Sequence, residues 1–534
     1  MGFEKVGLMI DCSRNAVMRP EFVKDFIDIT SELGYNTLML YTEDTYEVDG
    51  EPFFGHLRGR YSKAELKELD AYARAKGVEL VPCIQTLAHL GALMKWNCYN
   101  EICDCNDILL AGEERTYELI ENMFKTIAEC FSSRTMNVGM DEAWMLGKGK
   151  YLDRHGVCDR VEILLTHLKR VSEIAKKYGF TLQMWGDMFF HLASSGYHGS
   201  NPSIPDDVAK AISEKIPDNV KLVYWDYYSK SKEHYDDRLR EFQKLDPDTA
   251  FAGGFWTWAG FAPKNAFSLG CSKAAVEGCI DQGVKEVFFT MWGDCGGECS
   301  RLAVLPSLFY ISRLLKGKAE GEIKAEFEEK YGIAFDDFIL LDLPFVENSC
   351  SNPERYFLYN DPFLGRYDSV VKGVENEWFA QMADRLRPLE NHERFGYLFT
   401  TQRTLCEVLA IKAELGVRTR KAYLERDMEA IKVLIGDYST LMERVEDFYE
   451  ALEYQWMTEN KPHGFDVQDI RLGGLKQRIS HCTERLEDLV SGETDRIEEL
   501  EEPVLHPFGA DGELPERPFL RTGWIEAVTP NNLW

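Results

Sequence analysis

One rhythm governs the first 315 residues or so of this 534-residue chain. A short apolar, β-rich run gives way to a polar or Gly-containing loop, and then to an amphipathic helical stretch. The runs cover residues 7–12, 36–42, 79–86, 135–140, 181–187, 221–228, 250–258 and 286–294. Helical patterns lie between them, at 21–33, 63–76, 114–131, 160–178 and 273–282. Gly34, Gly77, Gly179 and Gly283 each follow a helical stretch and precede a strand, where a left-handed helix cap costs glycine nothing. Near-continuously apolar strands alternating with helices predict a parallel sheet covered by helices. Eight such units point to a closed barrel. An open doubly wound sheet would want a Gly-rich phosphate turn after its first strand, and that turn here reads Asp11-Cys12-Ser13-Arg14.

From about residue 335 the strand signals fade. Long helical patterns occupy 375–387, 395–415, 428–456 and 466–490. The expected fold is therefore α/β, a (β/α)₈ TIM barrel followed by an α-helical domain. The expected domains are a catalytic barrel over 1–335, a helical domain over 336–490, and an acidic arm with a C-terminal docking segment over 491–534. The stretch 492–518 is acidic and contains Pro and Gly, which predicts an exposed arm or linker. Residues 519–534 are apolar enough to dock.

A hydrophobic content of 45% supports a sizeable core. The net charge of −29 argues against nucleic acid as a partner, because phosphates would be repelled. No apolar run approaches the roughly 20 residues that span a membrane. The N-terminal apolar stretch 6–10 is too short for a signal h-region and has no cleavage site behind it, so a cytoplasmic location is expected. The 14 cysteines are then reduced thiols. Cys98, Cys103 and Cys105 cluster near Asp104 and Asp107, but the spacing matches no zinc pattern and reads as a cysteine-rich surface loop. No metal and no cofactor is called for.

In a barrel of this kind the site forms at the C-terminal ends of the strands. Those ends read Asp11-Cys12-Ser13-Arg14, Tyr41-Thr42-Glu43-Asp44, Gln85-Thr86 with His89 behind, and Gly139-Met140-Asp141-Glu142. The next four read Trp185-Gly186-Asp187, Trp225-Asp226-Tyr227-Tyr228, Trp256-Thr257-Trp258, and Trp292-Gly293-Asp294 with Glu298 behind. Five of the chain's 11 tryptophans fall at four successive strand ends. Core packing would fill the barrel with Val, Ile and Leu, not set indoles repeatedly at one end beside carboxylates. Flat apolar faces rimmed by acids suit a sugar ring, whose C–H face stacks on indole while its hydroxyls reach carboxylates. Neighbouring strand residues point to opposite faces, so Asp141 and Glu142 can both face the mouth only where the strand breaks.

The segment Asn137-Val138-Gly139-Met140-Asp141-Glu142 resembles the His-x-Gly-Gly-Asp-Glu signature of glycoside hydrolase family 20, the β-N-acetylhexosaminidases. The resemblance extends to Asp11-x-x-Arg14, to the tryptophans of strands five, six and eight, and to Trp292-Gly-Asp294. With Tyr41-Thr-Glu-Asp-Thr-Tyr46 and the helical C-terminal half, it is closest in kind to the bacterial exo-β-N-acetylglucosaminidase subgroup. It implies a retaining enzyme that removes a terminal N-acetylhexosamine from glycans. The substrate's 2-acetamido oxygen attacks C1 to give an oxazolinium, so no enzyme nucleophile is used. By the same resemblance, Glu142 is the acid/base, with its pKa raised by burial and an acidic neighbour, and Asp141 holds the acetamido N–H. Arg14 donates to O3 and O4, and Asp294 binds O4 or O6. Trp185, Trp225 and Trp292 box the acetamido group and ring, with Trp256 and Trp258 as further substrate-binding residues. Tyr227 or Tyr228 holds the acetamido carbonyl; alternation puts Tyr227 on the face of Trp225. The partner is an oligosaccharide or small-molecule substrate, and the subgroup implies a homodimer. Departures are Asn137 for the signature His, Met140 for its second Gly, and Leu87-Ala88 where the family has a Pro-Gly before its His; the resemblance carries His89 over as a substrate-binding residue.

Other readings fit less well. A glycosidase with two enzyme carboxylates would want an acid at the end of strand seven, which ends Trp256-Thr257-Trp258. A metal-dependent hydrolase would want His-x-His on strand one. A non-catalytic sugar-binding barrel would have no use for a general acid at Glu142.

Overall fold

The computed structural model describes residues 2–193, 203–294, 296–343, 353–507, 509 and 524–533. The chain divides into two compact units. One comprises Met1–Phe255, Ser268–Trp292 and Ser307–Ile323; the other comprises Trp256–Phe267, Gly293–Pro306 and Lys324–Trp534.

The first unit is built on a closed, all-parallel barrel. Its strands are β1 (Lys5–Asp11), β2 (Thr37–Tyr41), β3 (Glu79–Cys83), β4 (Thr135–Asn137), β5 (Thr181–Trp185), β6 (Val220–Trp225), β7 (Ala250–Gly254) and β8 (Glu286–Met291). Each pairs with its sequence neighbours, and β8 closes on β1 through the register Lys5↔Glu286 to Ile10↔Met291. All eight expected runs are strands, and every run overshoots its strand at the C-terminal end. Single backbone bonds to the next strand continue past several strand ends, as from the Cys12 N–H to the Tyr41 carbonyl and from the Thr86 N–H to the Val138 carbonyl, and residues such as Tyr227 and Trp292 prolong the apolar, aromatic character of their runs.

Helices Pro20–Leu33, Lys63–Ala75, Glu114–Cys130, Arg160–Lys177 and Asn265–Asp281 match the expected helical stretches, the last beginning earlier than expected. Gly34, Gly77, Gly179 and Gly283 all take positive φ. The helix Lys63–Ala75 starts at a capping box, in which the Ser62 side chain accepts from the Glu65 N–H and the Glu65 carboxylate accepts from the Ser62 N–H.

Alternation along the strands stacks the lumen in levels. At the N-terminal end Lys5 pairs with Glu79 at 2.8 Å, and Lys221 with Glu286 at 2.6 Å. Two inward positions up, past Gly7 and Val81, Met9 and Cys83 bring their sulfurs to 4.0 Å. The next inward positions are Asp11, Tyr41 and Trp185, so the strand periodicity itself delivers polar and aromatic side chains to the mouth.

The second unit is helical. Its long members are Gly396–Leu424, Met428–Glu459 and Asp466–Ser491. In the second of these, Ile431, Leu434, Tyr438, Leu441, Val445, Phe448, Leu452 and Trp456 are buried; in the third, Leu472, Leu475, Ile479, Cys482, Leu486 and Leu489. Alternating steps of three and four make each a single apolar seam, as bundle packing requires. Part of the acidic stretch expected as an exposed arm packs on these helices. Ile497 and Leu500 are buried, and the Arg420 guanidinium donates to the carbonyls of Glu499, Leu500 and Glu502. Residues 508 and 510–518 of that stretch, and 519–523 and 534 of the docking segment, lie outside the described residues. No described helix is long and apolar enough to cross a membrane.

Candidate active site

The site is built around the end of β4. The strand stops at Asn137, four residues short of Asp141, and the chain coils. Gly139, Met140 and Glu142 have φ of 73°, 71° and 51°. A Cβ at Gly139 would sit 2.0 Å from the Gln85 amide oxygen, so a side chain there would displace the amide that holds Met140 and Asp141. Met140 and Glu142 hold a conformation that costs an ordinary residue about 1–3 kcal/mol. Two hydrogen bonds impose it. Asn137 Oδ1 accepts the Gly139 N–H at 2.9 Å, and Gln85 Oε1 accepts the Met140 N–H at 3.1 Å. Asn137, where the family signature has His, thus shapes the turn from inside the barrel. The break lets two consecutive acids serve one mouth.

The two acids differ sharply. Asp141 is buried, and Gln85 Nε2 donates to its Oδ1 at 2.7 Å. His89 Nε2 is 3.2 Å from its Oδ2. Burial alone would raise the Asp141 pKa, but His89, Gln85 and Arg14 together hold it below the usual carboxylate range. The Glu142 side chain is 42% exposed and lies 3.7 Å from His89. Burial of Glu142 by the protein alone, expected from the sequence, is therefore not found. Its backbone N–H donates to Asp187 at 3.1 Å. Asp187 is pushed up to about 7 by burial and by the nearby charge of Asp141, while the Glu142 N–H and the Trp225 indole pull the other way.

Arg14 lies in the loop after β1. Its guanidinium carbon is 4.9 Å from the ring centroids of both Tyr41 and Trp292. Nη1 reaches Asp11 at 2.9 Å, and Nε is 3.4 Å from Glu43. Asp11 also accepts from the Ser13 N–H and hydroxyl, which bends the loop after β1 toward the mouth. Glu43 accepts from Tyr41 at 3.0 Å and is raised to about 7 by burial, with Arg14 opposing. Tyr41 in turn accepts from Gln85 at 3.0 Å, so one chain of contacts joins Arg14 to Asp141.

The aromatic wall is contributed by β5, β6 and β8. Trp185 and Trp292 have ring centroids 6.0 Å apart. Trp225 and Tyr227 stack at 5.5 Å and 20°. The Trp292 indole donates to the Tyr227 hydroxyl at 3.1 Å. Tyr227 is buried, whereas Tyr228 is 38% exposed. Burial drives the Tyr227 phenol well above its ordinary value, so it keeps its proton.

The structure thus brings together Arg14, His89, Asp141, Glu142, Trp185, Trp225, Tyr227 and Trp292, with Tyr228 alongside. Trp256, Trp258 and Asp294 belong to the second compact unit. There Trp256 and Trp258 stack on each other at 4.4 Å and 23°, and both are buried. Glu298, also in that unit, is clasped by Arg355 and Arg471. Sequence reasoning assigned no role to Tyr41, Glu43, Gln85 or Asp187; their position at strand ends was the available signal.

The cysteine-rich loop has a structural task. Cys103–Cys105 pairs antiparallel with Ile108–Leu109. Asp104 accepts the N–H groups of Gly147 and Tyr151, and Asp107 accepts that of His89. Among the described residues no group of three or more His, Cys, Asp or Glu could hold a metal ion.

Comparison with known proteins bears on the family. The family model for the glycosyl hydrolase family 20 catalytic domain matches residues 3–235, and that for the Glycoside Hydrolase 20C C-terminal domain matches residues 336–515. Hexosaminidase D of Bos taurus is 25% identical over 271 residues, covering 48% of this chain and 71% of the relative. Hexosaminidase D of Homo sapiens is 22% identical over 223 residues, covering 40% of this chain and 43% of the relative. The chain thus matches less than half the length of the human relative. A solved GH20 exo-β-N-acetylglucosaminidase from Vibrio harveyi is 13% identical with a TM-score of 0.46, covering 64% of this chain and 58% of that one. With two family-20 models matching in sequence order, this chain belongs to glycoside hydrolase family 20.

Proposed function

We propose that the barrel mouth removes a terminal β-linked N-acetylhexosamine from glycans, with retention, by making the substrate's acetamido group the nucleophile. The observation that carries this reading is the unequal state of the two adjacent acids. Asp141 is a buried anion with its acceptors aimed by Gln85 and His89, whereas Glu142 is open to the mouth.

A fixed buried anion suits the acetamido N–H. Accepting that proton's hydrogen bond orients the carbonyl oxygen toward C1 and stabilises the positive charge that develops as the oxazolinium ring closes. Tyr227 receives the Trp292 N–H and keeps its own proton, which it presents to the acetamido carbonyl. Trp185, Trp225 and Trp292 enclose the methyl group and the sugar face. Arg14, pinned between two rings and two carboxylates, directs its guanidinium to the ring hydroxyls. Glu142 protonates the leaving oxygen and then takes a proton from the water that opens the oxazolinium. A seated sugar covers the exposed Glu142 carboxyl and raises its proton affinity when the proton is needed.

The test is a panel of aryl glycosides. Hydrolysis of the aryl β-N-acetylglucosaminide without hydrolysis of the aryl β-glucoside is expected, together with tight inhibition by a thiazoline mimic of the oxazoline. Equal rates on the two glycosides would remove the acetamido group from the mechanism.

A further inference from the structure

We propose that Phe53, His56 and Trp96 form a stacking platform for the second sugar of the substrate, the residue on the leaving side of the bond that is cut. This rests on the assignment of the barrel mouth to a terminal N-acetylhexosamine.

The three rings come from two loops that leave neighbouring strand ends. Phe53 and Trp96 have centroids 5.2 Å apart, His56 and Trp96 5.4 Å, and Phe53 and His56 6.2 Å. Phe53 remains 40% exposed, and Leu57 beside the cluster is 71% exposed. What the three rings and exposed Leu57 share is contiguity, and a contiguous apolar ring surface suits the C–H face of a sugar.

Both loops are tied to the catalytic wall. The loop after β2 begins at Glu43, which contacts Arg14. Asp44 holds Arg58 at 3.0 Å, and Arg58 donates to the Ser13 carbonyl in the loop that carries Arg14. Gly55, immediately before His56, lies against the strand end itself; a Cβ there would meet the Asp44 carbonyl at 2.1 Å. The loop after β3 begins with the segment that holds His89 against Asp141, and then turns through Leu93–Lys95 into Trp96. The Phe53–Trp96 ring contact itself joins the two loops. The platform is thus fixed to the rim between the Arg14 and His89 walls. A sugar attached to the one in the mouth must leave across some part of that rim, and these rings offer it an apolar face.

The test compares Phe53→Ala and Phe53→Tyr with the unmodified protein. N,N′-diacetylchitobiose is the two-sugar substrate, and free N-acetylglucosamine, a competitive inhibitor, fills the mouth alone. Phe53→Ala is expected to lower kcat/KM for the disaccharide about tenfold, while the inhibition constant of N-acetylglucosamine stays within about twofold. Phe53→Tyr keeps the ring and should restore most of the loss. An unchanged kcat/KM in Phe53→Ala, or a parallel loss of monosaccharide binding, overturns the platform while leaving the mouth's assignment intact. If the unmodified protein cleaves neither the disaccharide nor an aryl N-acetylhexosaminide, the assignment of the mouth fails and the platform falls with it.

Discussion

The carboxylate of Asp187 accepts the backbone N–H of Glu142 at 3.1 Å, so Glu142 is held by its main chain while its side chain stays open. That backbone is left-handed, a conformation that relaxes once its restraint is lost. Asp187→Ala should therefore lower kcat on an aryl N-acetylglucosaminide by about tenfold with a smaller change in KM, because positioning acts mainly in the transition state. Asp187→Asn retains an oxygen that can accept the N–H and should recover most of the rate. Steady-state kinetics on both variants decides it; an unchanged kcat in Asp187→Ala would assign Asp187 no positioning role.

The two adjacent acids should fail differently. Glu142→Gln removes the proposed proton donor, so activity on a poor leaving group such as a sugar should drop by about 10²–10⁴, and less on an activated aryl group that needs little protonation. Asp141→Asn removes the buried anion proposed to aim the acetamido group. It should cost roughly 10²–10³ on every substrate, whatever the leaving group. A plot of rate against leaving-group pKa separates them. Unchanged turnover in Asp141→Asn would end its proposed role.

Tyr227 and Tyr228 are adjacent in sequence but not equivalent. Tyr227 is buried, stacks on Trp225 and receives the Trp292 N–H, while Tyr228 is 38% exposed. Tyr227→Phe keeps the stack and removes only the hydroxyl, so kcat should fall by about 10-fold or more, as for the loss of one donor to a developing charge. Tyr228→Phe should stay within about twofold. The reverse order of effects would move the carbonyl contact to Tyr228.

The fold and the main residues of the site were legible for physical reasons that also explain what was not. A parallel barrel strand is buried on both faces, so each of the eight runs stood out as apolar. The same property blurred their ends. Trp256 and Trp258 read as the end of a strand that stops at Gly254, and they fall in the second compact unit. Glu298 read as an acid behind a strand end, although two arginines far along the chain enclose it. Gln85 was quoted at its strand end, but nothing local shows that one amide would hold both the Met140 N–H and Asp141. Asp187 gains its character from Asp141 and the Glu142 backbone, a meeting that only the closed barrel arranges. Alternation favoured Tyr227 over Tyr228, and burial follows that preference.

Glu298 supplies a stability prediction within the helical unit. Arg355 Nε reaches its Oε2 at 3.0 Å, and Arg471 Nη1 reaches its Oε1 at 2.8 Å; Glu298 and Arg355 are fully buried. Removing one member of such a cluster leaves a buried charge uncompensated, at a cost of about 3–5 kcal/mol. Glu298→Ala should lower the denaturant midpoint accordingly. Glu298→Met with Arg355→Met, which removes both charges of the closest pair, should lose less than the single change. Equal losses would mean that packing, not charge, sets the cost.

His89 makes the stability of the site depend on pH in a direction that can be worked out. Burial lowers its basicity, but Asp141 at 3.2 Å raises it more, and the net pKa is about 9 against an ordinary 6.5. A group whose folded pKa lies above its unfolded one stabilises the fold fully below about pH 6.5, and that contribution is lost as pH rises through about 9. Asp187 and Glu43, each raised to about 7, act in the same direction, but their effect is complete near pH 7. The window from about 7 to 9 therefore belongs to His89 among these groups. Lys412 in the helical unit, lowered from 10.5 to about 8, acts with the opposite sign from about pH 8 upward and overlaps that window, so the melting curve of one protein alone is not diagnostic. The difference between the unmodified protein and His89→Gln cancels it. That difference in Tm should be largest near pH 6 and should shrink toward zero by about pH 10. A constant offset across this range would mean that His89 contributes packing alone, and that Asp141 is held ionised by Gln85 and Arg14 without it.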